Sequence, residues 1–245
     1  MISAVRTALA LLFVVISTTL GALVGFPWTW ITGSADVLYA IAMWIVRTGL
    51  RLAGIRVQVE GIEPINPAET YIFMCNHVSN LDPPILIPAI PRRTSVLVKK
   101  ELFQVPILGR AMRMADLVAV DRRNREAAVN SMRAAEEVMA RGLNMTVFPE
   151  GTRSRDGLLL PFKKGPFYLA TDSGIPVVPV TILGSDSLMP KGSTLIYPGM
   201  VRLVFHTPIS PKRFTDNDEL IAAVRREIAS ALPPSLREAN LDSAS

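Results

Sequence analysis

Two uncharged apolar runs lie near the start of the chain. Residues 7–26 form a run of 20 residues without a charge, which at about 1.5 Å per helical residue can cross a hydrocarbon layer of about 30 Å. Residues 37–46 form a shorter run of 10 uncharged residues before Arg47. Between the runs, residues 27–34 contain Pro, Gly and two Trp and predict a turn. The pattern predicts a two-helix hairpin inserted into a membrane.

The basic residues around these runs predict the orientation of the hairpin. Arg6 precedes the first run, and Arg47, Arg51 and Arg56 lie within or after the second. Because basic residues favour the cytoplasmic side, both ends of the hairpin are expected at the cytoplasmic face of the inner membrane. A hairpin that spans the membrane twice is the close alternative. A cleaved signal peptide is disfavoured because no clear small-x-small site follows, and two buried soluble helices would need an unusually large core.

From residue 56 onward, short apolar strands alternate with helical segments. The predicted strands cover residues 56–61, 71–75, 95–98, 117–120, 145–148, 177–183 and 201–205. One predicted helix begins at Pro83, and three others cover residues 105–114, 125–141 and 218–231. The fold class is therefore α/β, a layered mixed sheet with flanking helices. We expect an apolar hairpin at 1–55, a catalytic domain at 56–232 and a polar tail at 233–245.

The charge of the chain is concentrated in its middle. The net charge is +5, and residues 92–164 hold 15 Lys and Arg against 8 Asp and Glu. A basic segment suits nucleic acid, an anionic lipid surface or a phosphorylated substrate. The apolar runs favour the lipid interpretation, and basic residues do not interleave with aromatic ones as in nucleic-acid binding. The single Cys excludes an internal disulfide, and no Cys/His cluster predicts a metal site.

Candidate chemistry follows the strand at 71–75. His77 can accept a proton near neutral pH, since histidine has an ordinary pKa of about 6.5. A carboxylate such as Asp82 can fix the tautomer of the imidazole and stabilise its protonated form. The two residues are five positions apart, so they do not share one helix face. They can meet if His77 ends the strand and Asp82 caps a helix opened by Pro83 and Pro84. Alone, the pair also fits a structural histidine.

Further motifs occur along the same region in a fixed order. They are Asn76 to Asp82; Lys99 to Leu102 with Pro106, Gly109 and Val120 to Arg122; Val147 to Ser154 with Pro161 to Gly165; and Ile175 to Val180. Together these four blocks resemble the signature blocks of the glycerolipid acyltransferase family, which includes bacterial 1-acylglycerol-3-phosphate acyltransferases. One departure is Ala115-Asp116, where the second block often has a Gly before its strand.

The resemblance implies transfer of a fatty acyl group from a thioester to the free hydroxyl of lysophosphatidic acid, giving phosphatidic acid. His77 would be the general base and Asp82 would orient it, so no separate nucleophile is needed. The donor would be acyl-CoA or acyl carrier protein, which the sequence does not decide. No metal and no bound organic cofactor is expected. The expected partners are lysophosphatidic acid, the donor and a phospholipid membrane, without nucleic acid.

The resemblance and simple charge chemistry also suggest residues for the acceptor. A phosphate monoester needs cationic partners, and a guanidinium can bind it with two hydrogen bonds. Arg153 is the first candidate, followed by Arg122 and Lys100, although Lys99 could replace Lys100. Gly151 allows close approach of the backbone, and Thr152 can donate a hydrogen bond. Glu150 is expected to orient an arginine or contact glycerol hydroxyls, and Asn76 to orient the substrate.

Three other functions fit parts of the pattern. Cys75 and His77 are two apart on a strand and could form the site of a cysteine acyl hydrolase. The same acyl transfer could use another lysolipid as acceptor. A membrane lipid-binding protein without catalysis fits the apolar runs, but it would not require both His77 and Asp82. His206, in a strand without an acidic neighbour in sequence, is expected to be structural.

Overall fold

The computed structural model describes residues 2–121, 125–190 and 192–237, and within these ranges seven strands form one sheet. In sheet order the strands are β1, β7, β6, β2, β5, β3 and β4. They are β1 (Ile55–Glu60), β2 (Ile72–Cys75), β3 (Thr94–Lys99), β4 (Val118–Val120), β5 (Asn144–Val147), β6 (Val177–Leu183) and β7 (Gly199–Phe205). Neighbouring strands are parallel except β6 and β7, which are antiparallel. The predicted mixed sheet is confirmed.

Helices cover both faces of this sheet. They are α1 (Ile2–Thr32), α2 (Asp36–Leu52), α3 (Asp82–Leu86), α4 (Leu108–Met114), α5 (Arg125–Ala140), α6 (Gly165–Ser173), α7 (Ser185–Leu188) and α8 (Asn217–Ser230). Helices α6 and α7 were not predicted, because residues 161–165 were interpreted only as a motif and no helix was assigned between residues 183 and 201. The other predicted helices and strands after residue 56 agree with the structure to within a few residues.

Alternation along β2 divides the buried residues into two cores, since neighbouring residues of a strand face opposite sides of the sheet. Phe73 and Cys75 belong to the core that includes Ala10 of α1 and Ile85 of α3. Ile72 and Met74 belong to the core built with α5, α6 and α8. Helices α1, α2 and α3 therefore lie on one face of the sheet, and α5, α6 and α8 lie on the other.

The predicted turn at residues 27–34 is helical as far as Thr32, and the connection to α2 is confined to residues 33–35. Helix α1 continues through Pro27 to Thr32, and the hydroxyl of Thr29 donates to the carbonyl of Gly25 at 2.8 Å. A proline removes only one helical hydrogen bond and need not end a helix that packs along a neighbour. The helix ends before Gly33, whose φ of 71° is the left-handed conformation typical of a helix C-terminus.

Helices α1 and α2 pack closely along each other. A Cβ at Gly21 would lie 2.7 Å from Ile41, and one at Gly25 would lie 2.7 Å from Leu38. Small residues of α1 thus allow the close approach. Most apolar side chains on the opposite side of α1 are exposed, and α1 is long and apolar enough to cross a membrane. Insertion of this pair into a membrane stays a prediction, as do the domain boundaries.

Asp116 explains the departure from the family pattern in the second block. Its φ of 63° is left-handed, which favours Gly but which Asp tolerates better than most residues. The carboxylate of Asp116 forms ion pairs with Arg93 at 3.1 Å and with Arg141 at 2.7 Å. These contacts hold the strained turn before β4 without a glycine.

Candidate active site

The two loops that carry the candidate chemistry leave the same edge of the sheet. Strands β2 and β5 are parallel neighbours, with Met74 opposite Val147, so their carboxyl ends lie side by side. The backbone N–H of Ser154 donates to the carbonyl of His77 at 2.8 Å and ties the loops together. The carboxyl edge of parallel strands is the usual place for a binding site in α/β folds.

His77 and Asp82 meet as the sequence analysis required. His77 Nδ1 lies 2.7 Å from Asp82 Oδ2, and the same oxygen accepts the backbone N–H groups of Val78 at 2.7 Å and Ser79 at 2.8 Å. The predicted N-cap role of Asp82 is wrong by one position, because Leu81 is the N-cap of α3 and Asp82 is its first residue. The carboxylate turns back to the 77–79 loop rather than to the helix backbone.

Ser185 is a member of this site that sequence reasoning missed. Its hydroxyl donates to Asp82 Oδ1 at 2.5 Å, and both side chains are fully buried. Asp82 therefore receives hydrogen bonds from two backbone N–H groups, one hydroxyl and the imidazole. These four donors fix the positions of both carboxylate oxygens. No local signal identifies Ser185, since it lies 103 residues from Asp82.

The imidazole of His77 is held on two sides. The ring of Phe148 stacks on it with centroids 4.3 Å apart. When Nδ1–H donates to Asp82, Nε2 carries the lone pair and can accept a proton. Only 9% of His77 is exposed, so little of the residue meets solvent. The arrangement can act as a general base on a hydroxyl group that reaches Nε2.

Glu150 has a different position from the one expected. Its Oε1 accepts the backbone N–H of His77 at 2.7 Å, and its Oε2 accepts the N–H of Leu160 at 3.2 Å. Both carboxylate oxygens thus bind the backbone, rather than an arginine or a substrate hydroxyl. Burial raises the pKa of Glu150 to about 7, although the two N–H donors oppose this shift. Glu150 joins the His77 loop to the loop that precedes α6.

The predicted role of Asn76 in orienting substrate is not supported by its contacts. Its Nδ2 donates to the carbonyl of Ile182 at 3.1 Å, and its Oδ1 accepts the N–H of Ile182 at 2.8 Å. The side chain is 2% exposed. The amide replaces a missing backbone pair between the end of β2 and β6, and so fixes the start of the His77 loop.

The phosphate-binding candidates are only partly described by the structure. Gly151, with a φ of 71°, and the exposed Thr152 directly follow Glu150, and Arg153 is partly buried beside them. Lys100 is exposed and forms an ion pair with Asp121. Arg122 lies outside the described residues. The assignment of these residues to a phosphate therefore stays a prediction.

Neither Cys75 nor His206 is placed to take part in nucleophilic catalysis. Cys75 has no exposed surface, and burial is the main cause that raises the pKa of its thiol well above the ordinary range. A thiolate is therefore disfavoured, and no substrate can reach the sulfur in this structure. His206 Nε2 lies 2.9 Å from the hydroxyl of Thr181, and Glu227 lies 3.6 Å from its other ring nitrogen. These contacts fit the structural role expected for His206.

A known protein family matches the part of the chain that carries this site. The family model described as Acyltransferase matches residues 56–183, which include the whole His77–Asp82 and Glu150–Arg153 regions. The chain belongs to the acyltransferase family.

Its relatives include several 1-acyl-sn-glycerol-3-phosphate acyltransferases. The chloroplastic BAT2 of Brassica napus is 34% identical over 179 residues, covering 72% of this chain and 51% of the relative. A 1-acyl-sn-glycerol-3-phosphate acyltransferase of Chlamydomonas reinhardtii is 35% identical over 183 residues, covering 74% of this chain and 54% of the relative. The Cocos nucifera enzyme of this name is 32% identical over 217 residues, covering 85% of this chain and 68% of the relative. The chain spans about half the length of the first two.

A solved structure is similar over almost the whole chain. The 1-acyl-sn-glycerophosphate (LPA) acyltransferase PlsC from Thermotoga maritima superposes with a TM-score of 0.77 and is 29% identical. The match covers 92% of this chain and 94% of that protein. The likeness includes regions outside the family model, since that model matches only residues 56–183.

Proposed function

We propose that this protein transfers a fatty acyl group from an acyl thioester to the sn-2 hydroxyl of 1-acyl-sn-glycerol-3-phosphate, making phosphatidic acid. The observation that carries the proposal is the buried His77–Asp82 pair at 2.7 Å, in a chain of the acyltransferase family. A protein that only binds lipid has no need for a carboxylate held by four donors behind an imidazole. The names of the relatives support lysophosphatidic acid as the acceptor.

The proposed reaction needs one base and no covalent enzyme intermediate. Nε2 of His77 takes the proton of the acceptor hydroxyl while the oxygen attacks the thioester carbonyl carbon. The tetrahedral intermediate then collapses, the carbon–sulfur bond breaks, and the leaving thiolate takes the proton from the imidazolium. Asp82 accepts the Nδ1–H of His77 throughout and stabilises the imidazolium. A positioned base of this kind contributes about 10² to 10⁴ in rate.

The acceptor phosphate would be bound by Arg153, with Arg122 and Lys100 as further cations and Gly151 and Thr152 as backbone and hydroxyl partners. Each charge-assisted hydrogen bond of this kind contributes about 1.5 to 3 kcal/mol. The reaction requires no metal and no bound organic cofactor in this proposal, and the donor is acyl-CoA or acyl carrier protein.

Membrane attachment through α1 is part of the same proposal. The exposed apolar side chains of α1 include Val15, 63% exposed, and Leu23, 69% exposed, which fits burial in lipid. We place α1 and α2 in the cytoplasmic side of the inner membrane, where acceptor and product both reside. The acceptor would then reach His77 without leaving the lipid phase.

The test is acyl transfer from labelled acyl-CoA and acyl carrier protein to lysophosphatidic acid in detergent. His77→Ala should lower kcat by about 10² to 10⁴. Arg153→Ala should raise KM for the acceptor about tenfold to 100-fold, from the loss of one charge-assisted contact. Arg155→Ala is the matched control, since Arg155 is exposed two residues further on.

Different outcomes would reject different parts of the proposal. An active His77→Ala protein would reject the general-base mechanism. If neither donor reacts with lysophosphatidic acid, the acceptor is wrong and other lysolipids are then compared. If Arg153→Ala and Arg155→Ala behave alike, the phosphate does not bind Arg153.

A further inference from the structure

A pocket of about 360 Å³ lies where the C-terminal part of α2 meets strand β1. Arg47, Leu50 and Arg51 line this α2–β1 pocket from α2, and Arg56 lines it from β1. As far as the structure describes them, the residues assigned above to catalysis or to the acceptor phosphate do not line it. The α2–β1 pocket is therefore a separate candidate site.

The three arginines of the pocket form a cationic cluster. Arg47 and Arg51 are four positions apart, so they project from the same side of α2, and both are exposed, as is Arg56. Among the described residues, no Asp or Glu lines the pocket, and none forms an ion pair with these three guanidinium groups. Because a guanidinium binds phosphate oxygens with paired hydrogen bonds, the cluster favours a phosphate as ligand.

One of the three guanidinium groups is held in place by the backbone. Arg47 Nη2 donates to the carbonyl of Pro88 at 2.7 Å, and Pro88 also lines the pocket. The remaining N–H donors of this guanidinium can still bind a ligand. A side chain that is already ordered loses less entropy on binding, so Arg47 is partly preorganised for an anion.

Beside the cations, the pocket has an apolar wall. It includes Leu50 of α2 and two residues of β1, Val57 and Val59, which are 36% and 39% exposed. Strand β1 is the end strand of the described sheet, so no further strand covers these side chains. Guanidinium groups next to exposed apolar side chains fit a phosphate that is attached to hydrocarbon chains better than they fit a free inorganic ion.

The position of the pocket along α2 indicates the source of such a ligand. The uncharged run of α2 ends at Val46, and Arg47 and Arg51 lie within the next five residues. Trp44, which is 57% exposed, precedes Arg47 by three positions and so lies on the same side of the helix. Tryptophan and arginine at the end of an apolar helix are typical of the boundary between hydrocarbon and headgroups. With α1 and α2 in lipid, the arginines are level with phospholipid phosphates.

We propose that the α2–β1 pocket binds the phosphate of an anionic phospholipid from the surrounding bilayer. The phosphate contacts Arg47, Arg51 and Arg56, and the first part of the acyl chains lies along Leu50 and Val57. A bound lipid ties the end strand of the sheet to the membrane surface, away from the residues that act on substrate. The inference goes beyond the proposed reaction, since it needs only the membrane attachment of α1 and α2.

The test is binding of short-chain lipids to the full chain in a nonionic detergent, measured by calorimetry without an acyl donor. Dioctanoyl phosphatidylglycerol is the probe, because it is neither the acceptor nor the product of the proposed reaction. Dioctanoyl phosphatidylcholine and inorganic phosphate are titrated for comparison, since the first carries a cation that the arginines repel and the second has no hydrocarbon. We expect phosphatidylglycerol to bind at a single site, and both comparison probes to bind at least tenfold more weakly.

A charge variant tests the role of the arginines. Arg51→Gln/Arg56→Gln removes two of the three guanidinium groups and keeps Arg47, and it should weaken phosphatidylglycerol binding at least tenfold. Arg213→Gln/Arg226→Gln is the matched control, because both arginines are exposed and neither lines the pocket. This control should bind phosphatidylglycerol within twofold of the native protein.

A steric variant tests occupancy of the pocket without a change of charge. Val57 is partly exposed on an end strand, where Trp is well accommodated, so Val57→Trp should fold, cover the apolar wall and weaken phosphatidylglycerol binding at least tenfold. Met200→Trp is the matched control, since Met200 is 61% exposed on the neighbouring strand β7 and does not line the pocket. Circular dichroism checks that both variants keep the native secondary structure.

Several results would overturn the inference. Equal binding of phosphatidylglycerol and phosphatidylcholine would do so, as would native affinity in the double arginine variant or in a folded Val57→Trp protein. If inorganic phosphate competes with phosphatidylglycerol at equal affinity, the pocket takes a free anion and the lipid assignment is wrong.

Failure of this inference and failure of the proposed function are distinguishable. His77→Ala should bind phosphatidylglycerol like the native protein, because His77 does not line the pocket. A protein that binds phosphatidylglycerol as expected but does not acylate lysophosphatidic acid would refute the proposed function alone. Acyl transfer by a native protein without selective phosphatidylglycerol binding would refute the lipid site alone.

Discussion

Glu150 gives the sharpest prediction about pH, because a carboxylate that is 2% exposed joins two loops of the site. Its pKa is raised from the ordinary 4.5 to about 7, mainly by burial. Between these values the unfolded chain has lost the proton and the folded chain keeps it. Unfolding then releases a proton, so the contribution of Glu150 to folding stability falls as the pH rises from about 4.5 to 7.

The magnitude follows from the shift. A difference of about 2.5 pKa units corresponds to about 3 kcal/mol, at about 1.4 kcal/mol per unit. Glu150→Gln has nearly the same shape but does not titrate. The free energy of unfolding of the native protein minus that of Glu150→Gln should therefore decrease by about 3 kcal/mol between pH 4.5 and pH 8.

The assay is denaturant unfolding in detergent at several pH values, followed by far-UV circular dichroism. Tryptophan fluorescence is unsuitable, since Trp28, Trp30 and Trp44 all lie in α1 and α2. Glu137→Gln, at an exposed position of α5, is the control and should show no such trend. A difference that is constant with pH, or that increases with pH, would refute the reasoning, because the two N–H donors would then outweigh burial.

Two further predictions concern Ser185 and Cys75. Ser185→Ala removes a hydroxyl donor from Asp82 and should lower kcat at least tenfold, because a hydrogen bond to a charged group contributes about 1.5 to 3 kcal/mol. Ser187→Ala is the control, since the Ser187 hydroxyl donates to the Gly184 carbonyl, and this variant should keep nearly native turnover. Equal effects of the two changes would contradict the role of Ser185. Cys75→Ala should keep transfer within about threefold and lower the free energy of unfolding by about 1 kcal/mol, from the small cavity left in a packed core. Loss of turnover in a Cys75→Ala protein with a native melting temperature would restore the thiol hypothesis.

The sequence predicted those features that depend on nearby residues. The apolar strands, the helices that follow them and the His77–Asp82 approach all arise within short segments, where periodicity and turn residues act directly. The end of α1 was misplaced because Pro27 is a strong local signal for a turn, and the packing of α1 on α2 outweighs it.

The features that were missed depend on contacts between distant segments. Ser185 reaches Asp82 only because β6 ends beside β2 in the sheet, and no spacing in the sequence shows this. Glu150 and Asn76 are polar residues in family motifs, and a motif alone does not distinguish a group that binds substrate from one that binds backbone. In the structure, the side chains of both residues are hydrogen-bonded to the backbone of His77, Leu160 or Ile182.

The pairing of β1 with β7 determines the order in which the chain can fold during synthesis. Ile55 lies opposite Gly199, so the first strand leaves the ribosome about 140 residues before its partner, a wait of roughly 7 to 30 s at 5 to 20 residues per second. Thr7 of α1 contacts Ile196 across an even longer separation. Helices α1 and α2 are thus complete, with their apolar surface uncovered, well before the sheet can close. A nascent chain of this kind has time to reach a bilayer before its catalytic domain is finished, and a chain that stops before Gly199 leaves the edge strand unpaired.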